Sequence, residues 1–570
     1  MCGISALSLF SGTREATAKL LERMNHAQAA RGPDGAGIDA GDAAGVGMVR
    51  LRVRADSDEP EPIPLGEDEV AAYNGEVYWH DGSIPDGGKG EVQALCNGKV
   101  DGMYALAHMR GDRRTIDLCR DPFGIKPLWQ RQLREGIAAA STIQSLIAGL
   151  GPSLPRFDGV QQYLAFGRPI DGGSMLEGIK SVPRGSQLRL RDGMCGVRES
   201  LDLIPPGCNG DPYDPKVLRA ALQESIRRVQ PSNQRIGLAV SGGLDSTILA
   251  HQMAEMGVED LRTVSVLIDG VEDGVSDLAQ LQIPHRAARS WRHSTITVTP
   301  QMFARGFERA AVDLGEPTRL SSVPLYGALA DAAQAAGIVV LQVGEGADEL
   351  FMGYSSYRTL DTQAPDFPFA FMLPPSRHVY LEALYGHGVI ERCRDTFNSA
   401  YPATGTGTAL EHLRRIELDH SLEPLLRRAD QILMCRSIEG RTPFLHGDVP
   451  QLALRGDVER HLFGPRSKPI LRAAFPEIDQ LGGPWCRKTP FRAPVTEWLQ
   501  TTLRPWMTRV LDEGTPILCD LGLHPDGILL VQRDAQAGKI PALEMALALM
   551  SLVFWSAWLN EETWSNGEAA

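Results

Sequence analysis

Arg235-Ile-Gly-Leu-Ala-Val240 runs directly into Ser241-Gly242-Gly243-Leu244-Asp245-Ser246, and a helical pattern begins near Thr247. The first six residues read as a short apolar strand. Beyond the loop, Ile248, Leu249, Met253 and Met256 fall on one helical face. A strand, a glycine turn and a helix together aim backbone N–H groups and a helix dipole at an anion. Gly242 and Gly243 permit positive φ and close approach of a phosphate, while Ser241 and Ser246 add hydroxyl donors. Asp245 repels a bare phosphate and suits Mg²⁺ bridging phosphates. The plainer reading of the same residues is a serine-capped turn that uses glycine for its shape. The loop is not the GxxxxGK[ST] type.

Working outward, Thr263–Ile268 and Ile338–Val343 are further short apolar strands separated by helical stretches, which predicts a parallel α/β sheet. After the third strand comes Gly344-Glu345-Gly346-Ala347-Asp348-Glu349. Acidic residues there lie on the ligand-binding edge of an open sheet; a solvated acidic loop is the alternative. The first ~195 residues have a different texture, with strand-like runs around Val70–Tyr78, Ala105–Met109, Thr115–Leu118 and Gln187–Leu190. Only Glu15–Ala30 reads there as a solid helix, and layered β-sheets with a few helices are expected. Residues 198–216, with four prolines, form a linker between domains 2–197 and 217–570.

The chain has 570 residues, 57 Lys+Arg and 71 Asp+Glu, and a net charge of −14. That balance argues against a general nucleic-acid or anionic-membrane binder. Nine scattered cysteines without a CxxC pair predict reduced thiols, not a disulfide framework or zinc ribbon. Thirteen histidines show no HExxH spacing. The N-terminus lacks a signal-peptide pattern. The uncharged run Met545–Leu559 is shorter than the roughly 20 residues of a membrane span, so it reads as a buried helix packed by Trp555, Trp558 and Trp564. A soluble, cytoplasmic two-domain protein is expected.

Cys2 becomes the first residue if Met1 is removed, which joins a thiol nucleophile to an α-amine whose pKa suits a base near neutral pH. Cys2-Gly3-Ile4, Arg31-Gly32-Pro33-Asp34, Asn74-Gly75-Glu76 and Arg120-Asp121-Pro122-Phe123-Gly124 follow in order. This half resembles the class II glutamine amidotransferase domain, which implies an α+β N-terminal-nucleophile (αββα) fold. The resemblance makes Cys2 the nucleophile, Asn74 and Gly75 the oxyanion hole, and Arg50 and Glu76 the grip on glutamine. Ser241–Ser246 resembles the pyrophosphate loop of ATP-pyrophosphatases, which implies an α/β domain with a helical C-terminal extension.

The combination is similar to glutamine-hydrolysing asparagine synthetases over nearly the whole chain, and Glu316-Pro317, Asp430, Glu439–Leu445, Lys468 and Arg487-Lys488 extend the match. It implies ATP and Mg²⁺, with the loop from Ser241 through Gly242, Gly243, Leu244 and Asp245 to Ser246 on pyrophosphate. Asp245 and Asp348 would hold the metal, and Leu238, Leu267, Gly344 and Glu345 would border the nucleotide. Lys488 would stabilise charge during adenylation, and Glu345 would take a proton from ammonia. The expected partners are glutamine, ATP and an acid, with L-aspartate first and another acid of specialised metabolism second; nucleic acid and membrane are excluded, and a homodimer is left open. An amide-forming synthetase that no longer uses glutamine, and a non-catalytic scaffold, are the remaining readings.

Some positions depart from the family pattern. Lys89 stands where an aspartate usually grips the glutamine amine, which leaves Glu91 or Asp86 as substitutes or glutamine poorly bound. Trp79, His446, Ala347 and Met352 are the other departures, the last two in the half expected to recognise the acid.

Overall fold

The computed structural model describes residues 2–567 apart from 54–59, 80–82, 84, 86, 98–99, 201–213, 231–234, 272–274, 361, 365, 403–407, 456–457, 463–465 and 482–491. Most of the expected linker, together with Asp86, Arg487 and Lys488, lies outside the described residues. The strand Met194–Ser200 ends on one side of the linker and the helix Pro215–Arg228 starts on the other.

The first half consists of two six-stranded antiparallel sheets packed face to face. In one sheet, Cys2–Leu9 lies between Ala44–Arg50 and Gly136–Ala140, with Cys2 opposite Arg50. Side chains alternate across the strand. Cys2, Ile4 and Ala6 join the core between the sheets, whereas Leu7 packs outward with Leu21, Met24 and Leu146 of two helices. The inter-sheet core is rich in alanine, with Ala44, Ala72, Ala105, Ala107 and Ala139 letting the layers approach closely. The helix Gly87–Asn97 covers the far side of the second sheet through Val92 and Leu95.

Among the described residues four α-helices stand in this half, of which only the first is marked in the sequence: Arg14–Ala27, Gly87–Asn97, Ile143–Leu150 and Phe157–Phe166. Glycines at 87, 88 and 90 disguise the second. The third is only eight residues long, although Ile143, Leu146, Ile147 and Leu150 do share one face.

The second half holds a five-stranded parallel sheet in the order Arg292–Val298, Arg262–Ile268, Ile236–Ala239, Val340–Gln342, Glu439–Arg441. The chain builds outward from the central strand to one edge, then crosses back to start the other side. The crevice where strand order reverses is the usual ligand site of such sheets. The loops after Ile236–Ala239 and Val340–Gln342 flank it. The two outer strands carry no apolar signature: Arg292–Val298 is a polar edge strand, and Glu439–Arg441 is three residues long with two charges.

The helix Ile540–Gly567 ties the halves together. Tyr163 Oη donates to Ala548 O (3.3 Å), Thr318 N donates to Ser551 Oγ (2.8 Å), and Trp555 Nε1 donates to Gly315 O (3.2 Å). By length and composition Ile540–Glu561 could cross a membrane, yet most of it is buried within the protein. The side chain of Trp564 lies outside the described residues. Trp555 is fully buried, so Trp555→Ala should cost about 3–5 kcal/mol in urea unfolding. A cost under about 1 kcal/mol would show that this helix is not core.

Candidate active sites

Cys2 sits at the buried end of its strand. Its backbone N–H donates to Asn74 Oδ1 at 3.1 Å, from a strand of the opposing sheet. That bond fixes the amide, so Nδ2 is left as a donor, buried and without a hydrogen-bond partner among the described residues. A buried donor in that state is costly unless a ligand accepts from it. Gly75 has φ +148°, and a Cβ there would lie 2.0 Å from Met103 O, so no other residue fits. Burial pushes the Cys2 thiol pKa up, and the Arg50 guanidinium pulls against it. Arg50 reaches Glu61 at 3.1 Å. Glu76 pairs with Arg441 of the second half at 2.6 Å. Glu91 is buried and accepts from Tyr73 Oη at 2.7 Å, while Lys89 lies exposed on the helix Gly87–Asn97.

This centre abuts the parallel sheet through buried charge. Arg441 holds both Glu76 and Glu439, and Asp430 binds Arg31 (2.8 Å) and Lys126 (3.2 Å). Two of the family departures belong to the same seam. Arg228 lies 4.1 Å over the Trp79 ring, and His446 contacts Asp101 (3.2 Å) and the Tyr78 ring edge-on.

The second centre is a cleft of about 430 Å³ at the switch point of the sheet. Ser241, Gly243, Leu244, Asp245 and Ser246 line it together with Gly344, Glu345 and Asp348. Within the loop, Gly243 N donates to Ser241 Oγ (3.3 Å) and Ser241 N donates to Ser246 Oγ (3.2 Å). Gly242 takes φ +76°, and a Cβ on Gly344 would approach Asp245 Cβ to 3.2 Å, so the two loops touch. Val264 and Val266 form the cleft wall from the neighbouring strand. Leu267 is out of phase with them and is not among the lining residues, and Leu238 is wholly buried in the core.

Asp245 and Asp348 converge on one cation, the Lys468 ammonium, at 2.6 and 2.8 Å. Two carboxylates aimed at one positive charge beside a phosphate-type loop fit Mg²⁺, which binds through one or two carboxylates plus phosphate oxygens. Among the described residues no group of three or more His, Cys, Asp or Glu is gathered that could hold a metal ion without such phosphates. Glu345 is held by Arg428 (2.5 Å) and by the Tyr326 hydroxyl. Glu349 is fully buried; burial, then the neighbouring Asp348, push its pKa up to about 8. Met352 has φ +49°, a cost of about 1 kcal/mol set against its burial with Tyr357 and Leu413.

Lys468, Arg428 and Tyr326 are site residues that the loop motifs do not reveal. Each reaches the cleft from a distant element, and none has a local spacing that marks it.

A layered domain with Cys2 at its buried centre is joined to a parallel-sheet domain with a phosphate-type loop, which gives the chain two candidate centres. Residues 217–557 match the asparagine synthase family model, and residues 1–82 and 90–199 match the glutamine amidotransferase domain. The chain belongs to the glutamine-hydrolysing asparagine synthetase family and is a C–N-bond-forming ligase of that type. It is 23% identical to asparagine synthetase [glutamine-hydrolyzing] 1 of Bacillus subtilis over 94% of this chain and 93% of that one. It is 24% identical to a putative asparagine synthetase [glutamine-hydrolyzing] of Mycobacterium bovis over 85% of each. Amidase chry2 of Gibberella zeae is 24% identical over 67% of this chain and 64% of its own length.

Glu349 gives a prediction in pH. Its folded pKa, about 8, exceeds the ordinary 4.5, so the folded state holds a proton that the unfolded state has released. Stability therefore falls as pH rises from about 4.5 to about 8. Glu349→Gln should flatten that slope, read as urea midpoints at pH values inside the window. An unchanged slope would mean that Glu349 is ionised in the folded protein.

Proposed function

We propose that the chain hydrolyses glutamine at Cys2 and uses the ammonia to amidate an acid that ATP has activated, with L-aspartate the first substrate to try and L-asparagine, AMP and pyrophosphate the products. The convergence of the Ser241–Ser246 and Gly344–Asp348 loops at one switch-point crevice carries this reading. The working units are residues 2–197 for glutamine and 217–570 for synthesis.

In the first centre, the Cys2 thiolate attacks the side-chain amide carbon of glutamine. Asn74 Nδ2 and the Gly75 N–H receive the developing oxyanion, and the α-amine freed by loss of Met1 moves the proton to the leaving ammonia. Water then cleaves the thioester to glutamate. Arg50 and Glu76 are assigned to the glutamine carboxylate and amine, which requires each to exchange its present partner, Glu61 or Arg441, for substrate.

In the second centre, an oxygen of the acid attacks the α-phosphorus of ATP and pyrophosphate leaves. The Ser241–Ser246 loop receives the pyrophosphate. Asp245 and Asp348 would hold Mg²⁺, which supplies charge neutralisation on the phosphates. Lys468, already between these carboxylates, and Lys488, outside the described residues, are the cations assigned to the developing charge. Ammonia attacks the acyl carbon, Glu345 accepts a proton, and AMP departs. Arg428 and Tyr326 fix the Glu345 carboxylate for that task.

The test is pyrophosphate release with ATP, Mg²⁺ and L-aspartate, driven by glutamine or by ammonium chloride. Cys2→Ala should abolish glutamine-driven synthesis and spare the ammonium-driven reaction, and Asn74→Ala should lower the glutamine-driven rate about 10²–10³-fold. Glutamine-driven synthesis that survives in Cys2→Ala would overturn the assignment of the nucleophile. Absence of aspartate-dependent pyrophosphate would move the reading to another acid.

A further inference from the structure

A second cavity of about 400 Å³ lies beside the nucleotide cleft, at the seam of the two halves. Arg319, Leu320, Tyr354 and Leu425 border both spaces, so the two are adjacent and Arg319 stands between them. The chamber is mainly apolar, with Trp129, Tyr163 and Phe166 from the first half facing Leu314, Phe371 and Met372 from the second.

The other two arginines bordering it are paired, and Glu417, whose pKa burial raises, is held by a hydroxyl. Arg168 pairs with Glu423 at 2.6 Å, Arg427 pairs with Glu316, and Glu417 accepts from the Tyr357 hydroxyl. Burial drives the His420 pKa down to about 3, so that ring is neutral. Arg319 differs from them. It has no ion pair among the described residues, and its Nη1 donates to Leu164 O at 3.3 Å. Burial pulls its pKa down to about 9, yet part of its surface stays open to the cavity. Gly167 makes room for it, since a Cβ there would lie 2.7 Å from Nη2. Glu544 favours its charge from a distance but is itself paired with Arg377 (2.7 Å), and a deep guanidinium without an ion pair of its own is unfavourable unless an anion completes it. The triphosphate of ATP already has the Ser241–Ser246 loop and Lys468, which leaves Arg319 for the acid.

We propose that the acid substrate is a dicarboxylate with an apolar arm: one carboxylate is adenylated beside the Ser241–Ser246 loop, the second pairs with Arg319, and the arm occupies the seam chamber. This rests on the ATP-dependent amidation proposed above and puts a dicarboxylate with an apolar arm in place of L-aspartate, which has none. The competing role for Arg319 is structural, as a cation at the C-terminal end of the helix Phe157–Phe166.

The experiment is calorimetric titration of the whole chain saturated with α,β-methylene-ATP and Mg²⁺, using succinate, benzylsuccinate and 4-phenylbutanoate as probes. Benzylsuccinate should bind tightest, preferred over 4-phenylbutanoate by about tenfold or more. Arg319→Gln should erase that preference, and Arg319→Lys should keep much of it, with affinity for the ATP analogue unchanged in both. Equal binding of benzylsuccinate and 4-phenylbutanoate by the unaltered protein would overturn the pairing with Arg319. Equal binding of succinate and benzylsuccinate would overturn the use of the chamber. Arg319→Gln that only lowers the unfolding midpoint, with the probe preference intact, would leave the helix-end role in its place. Failure to bind α,β-methylene-ATP at all would instead strike the amidation reading on which the proposal stands.

Discussion

Leu422–Met434 is one 13-residue helix from which buried ion pairs reach both reaction centres. Arg428 fixes Glu345 in the nucleotide cleft, and two residues on, Asp430 holds Arg31 and Lys126 of the glutamine half. Glu423 binds Arg168 (2.6 Å) and Arg120 (3.3 Å) from that same half; burial opposes its charge, yet these arginines hold its pKa down to about 2. Removing one member of a buried pair of this kind typically costs about 3–5 kcal/mol. The helix therefore sets the position of Cys2 relative to the Ser241–Ser246 loop. The edge strand Glu439–Arg441 adds a second fastening, because Arg441 grips Glu76 while its strand pairs with Val340–Gln342, the strand that leads into Gly344 and Glu345.

The local features of this arrangement are legible in the sequence. Strand, Ser241–Ser246 loop and helix are contiguous, so apolar pattern and glycine chemistry define them. The position of Gly344–Asp348 after a strand is equally local, as is Cys2 at the chain start. The long-range features are not legible. Lys468 meets Asp245 across 223 residues of chain, and Arg441 meets Glu76 across 365. No periodicity encodes such a pairing, because a buried arginine and an exposed one read alike. The polar edge strand Arg292–Val298 and the glycine-rich start of Gly87–Asn97 fail for the opposite reason: their local chemistry points away from the structure that packing imposes.

Trp79 and His446 look like unrelated departures in the sequence, yet both belong to the seam. Arg228 stacks on one, and Asp101 with Tyr78 holds the other. Both positions thus make aromatic or cationic contacts across the seam. Ala347 and Met352 are both buried, in two different core clusters. Neither lines the nucleotide cleft, so both act through packing.

The central claim is that the buried charges on Leu422–Met434 keep the two centres in register, so that nitrogen released at Cys2 reaches the activated acid. It is tested most directly by measuring glutamate and amide together in Asp430→Asn, with the ammonium-driven rate as internal reference. The account predicts matched amounts in the unaltered enzyme and an excess of glutamate over amide in the variant, with ammonium-driven synthesis retained. Matched amounts in Asp430→Asn would contradict it.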